Sequence, residues 1–484
     1  MLKWLAIVVV LVAMLAAGVG TSSVAATASA RVVGTPASSA PVTPIRHVVV
    51  IFQENHSFDN VLGGLCVADH LNCDGASTGL THTGRRIPLS VAPDVVPNVQ
   101  HKVPYQRAAI DGGKMDGFDL VPGCIDDVTR CYSQYRGSEI PNLRRLAENY
   151  VISDRTFSED PVPSWGGHLD LVAGQLDGFL GVGPTDAAKN PPQVHGWGCN
   201  SHKDSPWKDP TNPHAPILMV PSCIPRLDGF GPYRPSPVKH IPTILDRLSQ
   251  AGLSWKLYTD THITDPGYIW SICPTLASCL YDPANNNQPN RNWTDRARFF
   301  ADAAAGRLPA YSAIIPNYKL SQHNNASMLV GDNYIQSLVK AVMDGPPKQW
   351  NSTVFFITYD DCGCFYDHVA PPHGSGLGIR VPMVIVSPHA KGSFVDHTLA
   401  SFDSMLAFVE KNWRLAPLNT RDAHAYDYCR SFTFTTLPCT GPAAGTTNTA
   451  DRAAPAHVDL HPTPIPAASL RYVRTHPPDP NDPT

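Results

Sequence analysis

The chain has 484 residues, of which 43% are hydrophobic and 16% charged, and its formal net charge is −4 at pH 7. This composition excludes wholesale disorder, collagen, a coiled coil and a multi-span membrane protein. The near-balanced charge, without any basic run, predicts no nucleic-acid partner.

The N-terminus has the three parts of a secretory signal. Lys3 is followed by the uncharged apolar run 4–20, and Ala28 to Ala30 form a small-residue cleavage site. We therefore predict a signal peptide over residues 1–30, a flexible leader over 31–45, and a secreted or extracytoplasmic protein. The apolar run is also long enough to span a bilayer, so an uncleaved anchor that holds the protein at the cell envelope is the alternative.

The twelve cysteines fit an oxidising compartment, where neighbouring cysteines staple loops. Cys362 and Cys364 stand apart, on either side of Gly363. They could form a tight disulfide, pair elsewhere or stay free, and we favour oxidised cysteines that fix the loop. The other ten form five pairs of sequence neighbours: Cys66/Cys73, Cys124/Cys131, Cys199/Cys223, Cys273/Cys279 and Cys429/Cys439.

Apolar β-branched runs alternate with segments of helical periodicity along the chain. This alternation predicts an α/β fold, a three-layer α/β/α sandwich with a mostly parallel central sheet, over a catalytic domain at 46–415. Residues 416–484 are rich in Pro, Thr and Ala, and we expect an irregular C-terminal segment. The predicted strands are 48–52, 151–153, 254–258, 310–315, 353–359 and 383–386, and the predicted helices are 142–150, 243–251, 334–343 and 401–413.

Two of these strands end in polar side chains. Glu54 and Asn55 follow the first strand, and Asp360 and Asp361 follow the strand 353–359. Ligands bind at the carboxyl ends of parallel strands, and oxygen-rich clusters suit divalent cations. Each acid taken alone is better interpreted as a helix cap or ion-pair partner, but two such strand ends together favour a metal site.

A serine follows the strand 151–153 in a turn that proline makes rigid. Ser164 comes directly after Pro163, and Gly166 and Gly167 would allow close approach of backbone to a ligand. A serine that opens a helix can direct its hydroxyl at an anion and, beside a cation, attack phosphorus. On spacing alone, a simple helix cap is the better interpretation of Ser164.

Five segments resemble those of one known family, in that family's order, between about residues 47 and 413. The family is the bacterial phosphoesterases, which include bacterial phospholipases C, plant non-specific phospholipases C and a secreted acid phosphatase. Gly166 and Gly167 depart from its usual Pro-Asn, and Cys364 replaces a glycine. The matching segments are Glu54 to Asp59 (E-N-H-S-F-D), Gly112 to Phe118 (G-G-K-M-D-G-F), Pro163 to His168, Asp360 to Val369, and Gly378 to Pro382 with Ser387-Pro388.

The resemblance implies an alkaline-phosphatase-like fold and a set of site residues. Glu54, Asn55, Asp360, Asp361 and Ser164 would hold one divalent cation (Ca, Mg, Mn or Zn), and Ser164 would also be the nucleophile. His323 or His101 would assist the leaving oxygen. His368 would either bind phosphate or anchor its loop, and His56 and His168 are expected to be structural.

We therefore predict a secreted metal-dependent phosphoesterase that acts through a phosphoserine intermediate. The substrate would be a phospholipid, with phospholipase C outcome and transient membrane contact, or a small phosphomonoester, as for an acid phosphatase. The chain ends soon after its last matching segment, without the long C-terminal region of many bacterial phospholipases C, and this favours a compact phosphatase or a general phosphoesterase.

Two other classes of function are weighed against this one. A secreted binding protein on an inactive enzyme fold is disfavoured because the set of five metal-site residues is intact. A metal-free serine hydrolase is disfavoured because no G-x-S-x-G turn surrounds Ser164.

Overall fold

The apolar β-branched runs of the sequence form the core of one eight-stranded sheet in the computed structural model. The structure describes residues 40–186, 196–282, 292–437, 439 and 452–476, all within the unit Ser38–Thr484. The predicted signal peptide and the first part of the predicted leader therefore lie outside the described residues.

The strands of this sheet run mostly parallel. Their order is β4-β3-β5-β1-β6-β7-β2-β8, and only the β6–β7 and β7–β2 pairs are antiparallel. The mostly parallel α/β architecture predicted from the sequence is thus confirmed. In chain order the strands are β1 His47–Gln53, β2 Val151–Ser153, β3 Trp255–Thr259, β4 Trp293–Asp295, β5 Tyr311–Ile314, β6 Thr353–Tyr359, β7 Met383–Val386 and β8 Phe394–Asp396.

Helices cover both faces of the sheet. Successive residues of a strand point to opposite faces, and every residue of β6 is buried, so neither face is open to solvent. The helices α1, α4 and α5 pack together, and α2 packs against α3 and α6. These six helices are α1 Pro141–Asn149, α2 Ser164–Ala173, α3 Ile244–Gln250, α4 Ala297–Ala304, α5 Met328–Met343 and α6 Phe402–Trp413.

The chain also forms shorter strands and helices outside the eight-stranded sheet and the six helices. Among them, Leu218–Pro221, Lys203–Trp207 and Thr185–Asp186 form a separate three-stranded antiparallel sheet. Within the described ranges, no helix combines the length and apolar character needed to cross a bilayer. The remaining short strands are Thr78–Leu80, Arg86–Pro88, Ser90–Val91, Ser133–Gln134, Thr156–Phe157 and Ala400–Ser401, and the remaining α-helices are Gly64–Ala68, Val103–Ile110, Ala277–Leu280, Pro347–Trp350, Thr420–His424 and Ala467–Thr475.

The two ends of the described chain are more ordered than the sequence predicts. At the end of the predicted leader, Ile45 is buried and Thr43 Oγ1 donates to Asn412 Oδ1 at 2.7 Å. The C-terminal segment, expected to be irregular, contains two helices, and the carbonyl of Ala456 accepts from Trp350 Nε1 at 2.7 Å. These contacts involve single polar residues, which produce no periodic pattern in the sequence, so the order of the two ends could not be predicted from it.

Each pair of neighbouring cysteines forms a disulfide, a connectivity that the spacing alone left open: Cys66–Cys73, Cys124–Cys131, Cys199–Cys223, Cys273–Cys279 and Cys429–Cys439.

Candidate active site

The pairing of β1 with β6 brings the two acidic strand ends together. Gln53 lies opposite Tyr359 in a parallel register, so the next residues, Glu54 and Asp360, leave the sheet side by side. The N–H of Asp360 donates to the carbonyl of Gln53 at 3.0 Å, which extends the ladder by one residue. The strand-end cluster expected from the sequence therefore exists, and it is fully buried.

Ser164 is the first residue of α2 and points into this cluster. Its hydroxyl donates to Glu54 Oε2 at 3.0 Å, and it lies 3.5 Å from Asn55 Oδ1. The N-cap of α2 is Pro163, and the Ser164 hydroxyl contacts Glu54 and Asn55, which lie outside its helix, so the helix-cap interpretation fails.

Gly167 explains how α2 comes so close to the acids. A Cβ atom at this position would lie 2.9 Å from the carbonyl oxygen of Asp360, which is too close for any other residue without movement of the backbone. The departure from the family's Pro-Asn at 166–167 thus accommodates a backbone contact next to the acidic pair.

Asn55 connects the acids to two histidines. Its φ is 58°, a left-handed conformation that asparagine tolerates, and its backbone N–H donates to Asp360 Oδ1 at 2.9 Å. Its amide fits in two orientations. In one, the nitrogen donates to Asp360 Oδ1 at 3.0 Å. In the other, the oxygen joins the carboxylate oxygens, an arrangement that a cation would stabilise.

His101 and His323 meet at the far side of the Asn55 amide. His101 Nε2 lies 3.1 Å from one amide atom, and His323 Nε2 lies 2.7 Å from it. The Nδ1 atoms of the two rings contact the carbonyls of Val99 and Asn324, both at 2.9 Å, which leaves the Nε2 atoms facing the cluster. The structure therefore brings both predicted histidines to the site.

His168, which the sequence favours as structural, also lies in the cluster. Its Nδ1 contacts the carbonyl of Ser164 at 2.7 Å, and its Nε2 lies 3.3 Å from Glu54 Oε1. The signal that could have found it is the spacing of four between Ser164 and His168, which places both on one face of a helix.

The buried carboxyl groups of the cluster have too little positive charge around them to balance their own negative charge. Burial, and then the neighbouring Asp360 carboxylate, raises the pKa of Glu54 well above its usual value, and the same two causes raise the pKa of Asp361. Burial lowers the pKa of His168, so this ring does not supply the missing positive charge.

The donor set fits a divalent cation. Glu54, His168 and Asp360 each offer a ligand atom within 4.8 Å of the others. Of the cluster's buried polar atoms, Glu54 Oε1, His168 Nε2 and Asp361 Oδ2 have no hydrogen-bond partner among the described residues. Carboxylate, amide and hydroxyl oxygens with one imidazole suit hard or borderline cations.

His368 does not join this cluster. Its Nδ1 lies 2.6 Å from Asp59 Oδ2 and its Nε2 lies 3.0 Å from Asp74 Oδ1. Burial opposes its charge, but the two carboxylates outweigh burial and raise the pKa of His368 to about 10. The sequence left open whether His368 binds phosphate or anchors its own loop. The geometry favours the anchor, because both ring nitrogens contact carboxylates.

His56 is also structural, as expected. Its ring nitrogens contact Asn60 Oδ1 at 2.7 Å and the carbonyl of Gln322 at 2.8 Å, and its ring stacks on Phe365. Burial lowers the pKa of His56 to about 4, so the ring is neutral at physiological pH.

Cys362 and Cys364 are not bonded to each other. Both are buried free thiols, and their sulfur atoms lie 3.8 Å apart, against the oxidised state that we favoured from the sequence. The N–H of Cys364 donates to Cys362 Sγ at 3.0 Å, so the turn is held without a covalent link.

Thiol titration of the denatured protein is therefore expected to count two thiols per chain, because the other ten cysteines are in disulfides. The Cys362→Ser/Cys364→Ser double variant should count none. A count of zero in the parent chain would instead show that the two cysteines are oxidised.

A serine hydroxyl and buried acidic side chains thus meet at the carboxyl edge of a mostly parallel sheet in an α/β fold. A family model described as "Phosphoesterase family" matches residues 45–416. The chain belongs to this family and is a hydrolase of phosphoric ester bonds.

Curated relatives carry phospholipase names. "Phospholipase C A" of Mycobacterium tuberculosis (strain ATCC 25618 / H37Rv) is 24% identical over 458 residues, which cover 82% of this chain and 79% of the relative. "Non-specific phospholipase C6" of Arabidopsis thaliana is 30% identical, over 75% of this chain and 65% of the relative. Among solved structures, an alkaline phosphatase superfamily protein from Vibrio parahaemolyticus aligns over 78% of this chain and 67% of its own, at 11% identity and a TM-score of 0.33.

Proposed function

We propose that the protein is a secreted, phospholipase C-like phosphoesterase that uses Ser164 as nucleophile beside one divalent cation. The observation that carries this proposal is the 3.0 Å contact between Ser164 Oγ and Glu54 Oε2, inside a buried acidic cluster at the edge of the sheet. Buried carboxylates without a cationic partner cost free energy, and a divalent cation held between them would offset that cost.

Glu54, Asn55, Asp360, Asp361 and Ser164 would hold the cation, and His168 is a further candidate ligand. A bound divalent cation would neutralise the charge of the phosphate group and favour the ionised form of a serine hydroxyl. The chain's own residues account for the remaining steps.

The hydrogen bond to Glu54 orients Ser164 Oγ for in-line attack on phosphorus. As the Oγ–P bond forms, the serine proton passes to Glu54 Oε2, the bond from phosphorus to the leaving oxygen breaks, and a proton from His323 or His101 Nε2 neutralises that oxygen. Water then attacks the phosphoserine and gives one proton back to the histidine, the Oγ–P bond breaks, and Ser164 regains its proton from Glu54 as phosphate or a phosphomonoester leaves. Positioning and charge neutralisation supply most of the rate enhancement in phosphoryl transfer.

We propose phospholipids as the substrate class, because the curated relatives that match most of the chain are named phospholipases C. Phosphomonoesters remain the alternative. Comparison of phosphatidylcholine with p-nitrophenyl phosphate on one preparation separates the two, and turnover of the monoester alone would replace the lipid assignment with a phosphatase.

Five disulfides support an extracytoplasmic location, because such bonds form and persist in oxidising compartments.

Removal of the metal is expected to lower hydrolysis of p-nitrophenyl phosphate by at least about 100-fold, because the clustered acids then repel the anionic substrate. The measurement is the initial rate after dialysis against a chelator, with elemental analysis of the same sample. One of Ca²⁺, Mg²⁺, Mn²⁺ or Zn²⁺ should restore the rate. Full activity in a sample that elemental analysis finds free of metal would refute the proposal and point to a metal-free serine hydrolase.

A further inference from the structure

Exposed apolar side chains are concentrated in one short segment of the protein. Five of the nine large hydrophobic side chains that are exposed among the described residues lie between positions 217 and 230. The most exposed is Leu227, at 84%. We call these five residues the apolar patch: Ile217, Leu218, Met219, Leu227 and Phe230.

The apolar patch is held in place by the fold. The disulfide Cys199–Cys223 closes the segment at its middle. Arg234 donates to the carbonyl of Met219 at 2.7 Å and forms an ion pair with Asp204. The disulfide and the hydrogen bond fix the backbone of the segment, so the exposure of these side chains is part of the fold.

A basic cavity lies directly beside the apolar patch. Its volume is about 850 Å³, and Leu227 of the patch forms part of its wall. Its charged and titratable lining residues are Arg226, Arg234, Lys239 and His240 and one acid, Asp228. Arg226 pairs with Asp228, Arg234 with Asp204 and His240 with Asp246, so Lys239 is the lining cation that no carboxylate of the described residues pairs with.

The charge of this region is opposite to that of the chain as a whole. Residues 203–242 contain five lysines and arginines and three aspartates, whereas the whole chain has a net charge of −4. Apolar side chains next to cationic ones are the pattern of a protein surface that inserts into the boundary of an anionic bilayer.

Packing connects the apolar patch to the nucleophile. Trp165, next to Ser164, packs edge-on against Phe179, with ring centroids 5.1 Å apart. Phe179 pairs with Trp207, and Trp207 pairs with Leu218 of the patch. Three successive contacts thus lead from the helix that begins at Ser164 to the exposed strand.

We infer that the apolar patch and the basic cavity form a docking surface for a phospholipid bilayer that contains anionic lipids. The apolar side chains enter the headgroup boundary, and the cavity receives an anionic headgroup. The biological role of docking rests on the proposed function, since docking would bring the enzyme to its lipid substrate. The binding itself is inferred from the exposed apolar side chains and the cavity, and vesicle binding tests it without any turnover.

The experiment is co-sedimentation with vesicles of phosphatidylcholine and phosphatidylglycerol in equal amounts, compared with pure phosphatidylcholine. The Ser164→Ala chain is used so that lipid is not consumed. We expect it to bind the mixed vesicles, and Leu227→Asp/Phe230→Asp should weaken that binding by at least about tenfold, since charged groups resist insertion. Lys239→Glu should reduce the preference for the mixed vesicles, and added salt should do the same.

The matched control is Leu470→Asp, which alters a leucine that is 46% exposed outside the patch and should leave vesicle binding unchanged. In the chain with Ser164 intact, Leu227→Asp/Phe230→Asp should hydrolyse p-nitrophenyl phosphate at the parent rate. No binding of the parent to either vesicle, or equal binding by the double variant, would overturn the inference. So would a parent dimer in sedimentation velocity that the double variant abolishes, because the patch would then be an interface between copies. Absence of hydrolysis of both phosphatidylcholine and p-nitrophenyl phosphate by the parent would instead count against the proposed function alone.

Discussion

Replacement of Ser164 with alanine is expected to lower kcat for p-nitrophenyl phosphate by at least about 10³-fold, as loss of a nucleophile does in other hydrolases. The hydroxyl of Ser164 is buried and donates to Glu54 Oε2 at 3.0 Å. Alanine removes the attacking atom but keeps the start of α2, since the Ser164 side chain makes no cap bond. The measurement is the rate of the purified variant under conditions that saturate the parent.

The fold and the cation site should survive this change. Far-ultraviolet circular dichroism of Ser164→Ala is expected to match the parent, and so is its metal content when the metal is saturating, because Glu54, Asn55, Asp360 and Asp361, four of the five proposed ligands, remain. Ser158→Ala is the matched control, since the hydroxyl of Ser158 is buried but donates only to backbone carbonyls, such as that of Asp160 at 3.2 Å. A rate for Ser164→Ala within tenfold of the control would mean that another group attacks phosphorus.

Six of the eight strands of the main sheet were predicted from the sequence, most clearly β1 and β6, which are continuous apolar runs, whereas the three-residue strands β4 and β8 were missed. The strand 48–52 was predicted to within one residue at each end of β1, and 353–359 coincides with β6. The direction of β7 could not be predicted, because an apolar run has the same pattern in either direction. The strand Lys203–Trp207 was missed because it contains Pro206 and lacks an apolar alternation.

The site could be predicted in part for a related reason. Glu54 and Asp360 follow apolar strands, so the rule that ligands bind at the carboxyl ends of parallel strands was enough to bring them together. The position of His168 depends on how α2 packs against Asp360, a contact between residues far apart in sequence. The state of Cys362 and Cys364 likewise depends on a turn geometry that spacing does not determine.

Several matching motif residues hold the site together and lie outside its chemistry. Arg380 is fully buried, and its guanidinium contacts Asp367 Oδ1 at 3.1 Å and Asp59 Oδ1 at 3.2 Å. It also donates to the carbonyls of Asp74 and Asp154. Since Asp59 follows the loop of Glu54 and Asp367 follows the acidic pair, Arg380 ties together the two loops that carry the candidate ligands.

Arg380→Met is expected to destabilise the protein by about 3–5 kcal/mol, because it leaves buried carboxylates with too little positive charge. Burial raises the pKa of Asp367 to about 6, although the charge of Arg380 lowers it. Loss of Arg380 would therefore destabilise the ionised form of Asp367 further. His368, which contacts Asp59 at 2.6 Å, remains as the nearest cation. Methionine fills a similar volume, so the cost reports the charge network rather than a cavity.

Urea unfolding at pH 7, with disulfides intact, measures the change in the free energy of unfolding. Arg471→Met is the matched control, since Arg471 is exposed and should change stability by no more than about 0.5 kcal/mol. If Arg380→Met unfolds at the same urea concentration as this control, the buried ion pairs do not hold the two loops. If Arg380→Met is destabilised as expected, hydrolysis of p-nitrophenyl phosphate should also fall in the residual folded protein, because the same loops position Glu54 and Asp360. Such a result would show that Arg380 serves the geometry of the site by holding together the two loops that carry the candidate ligands.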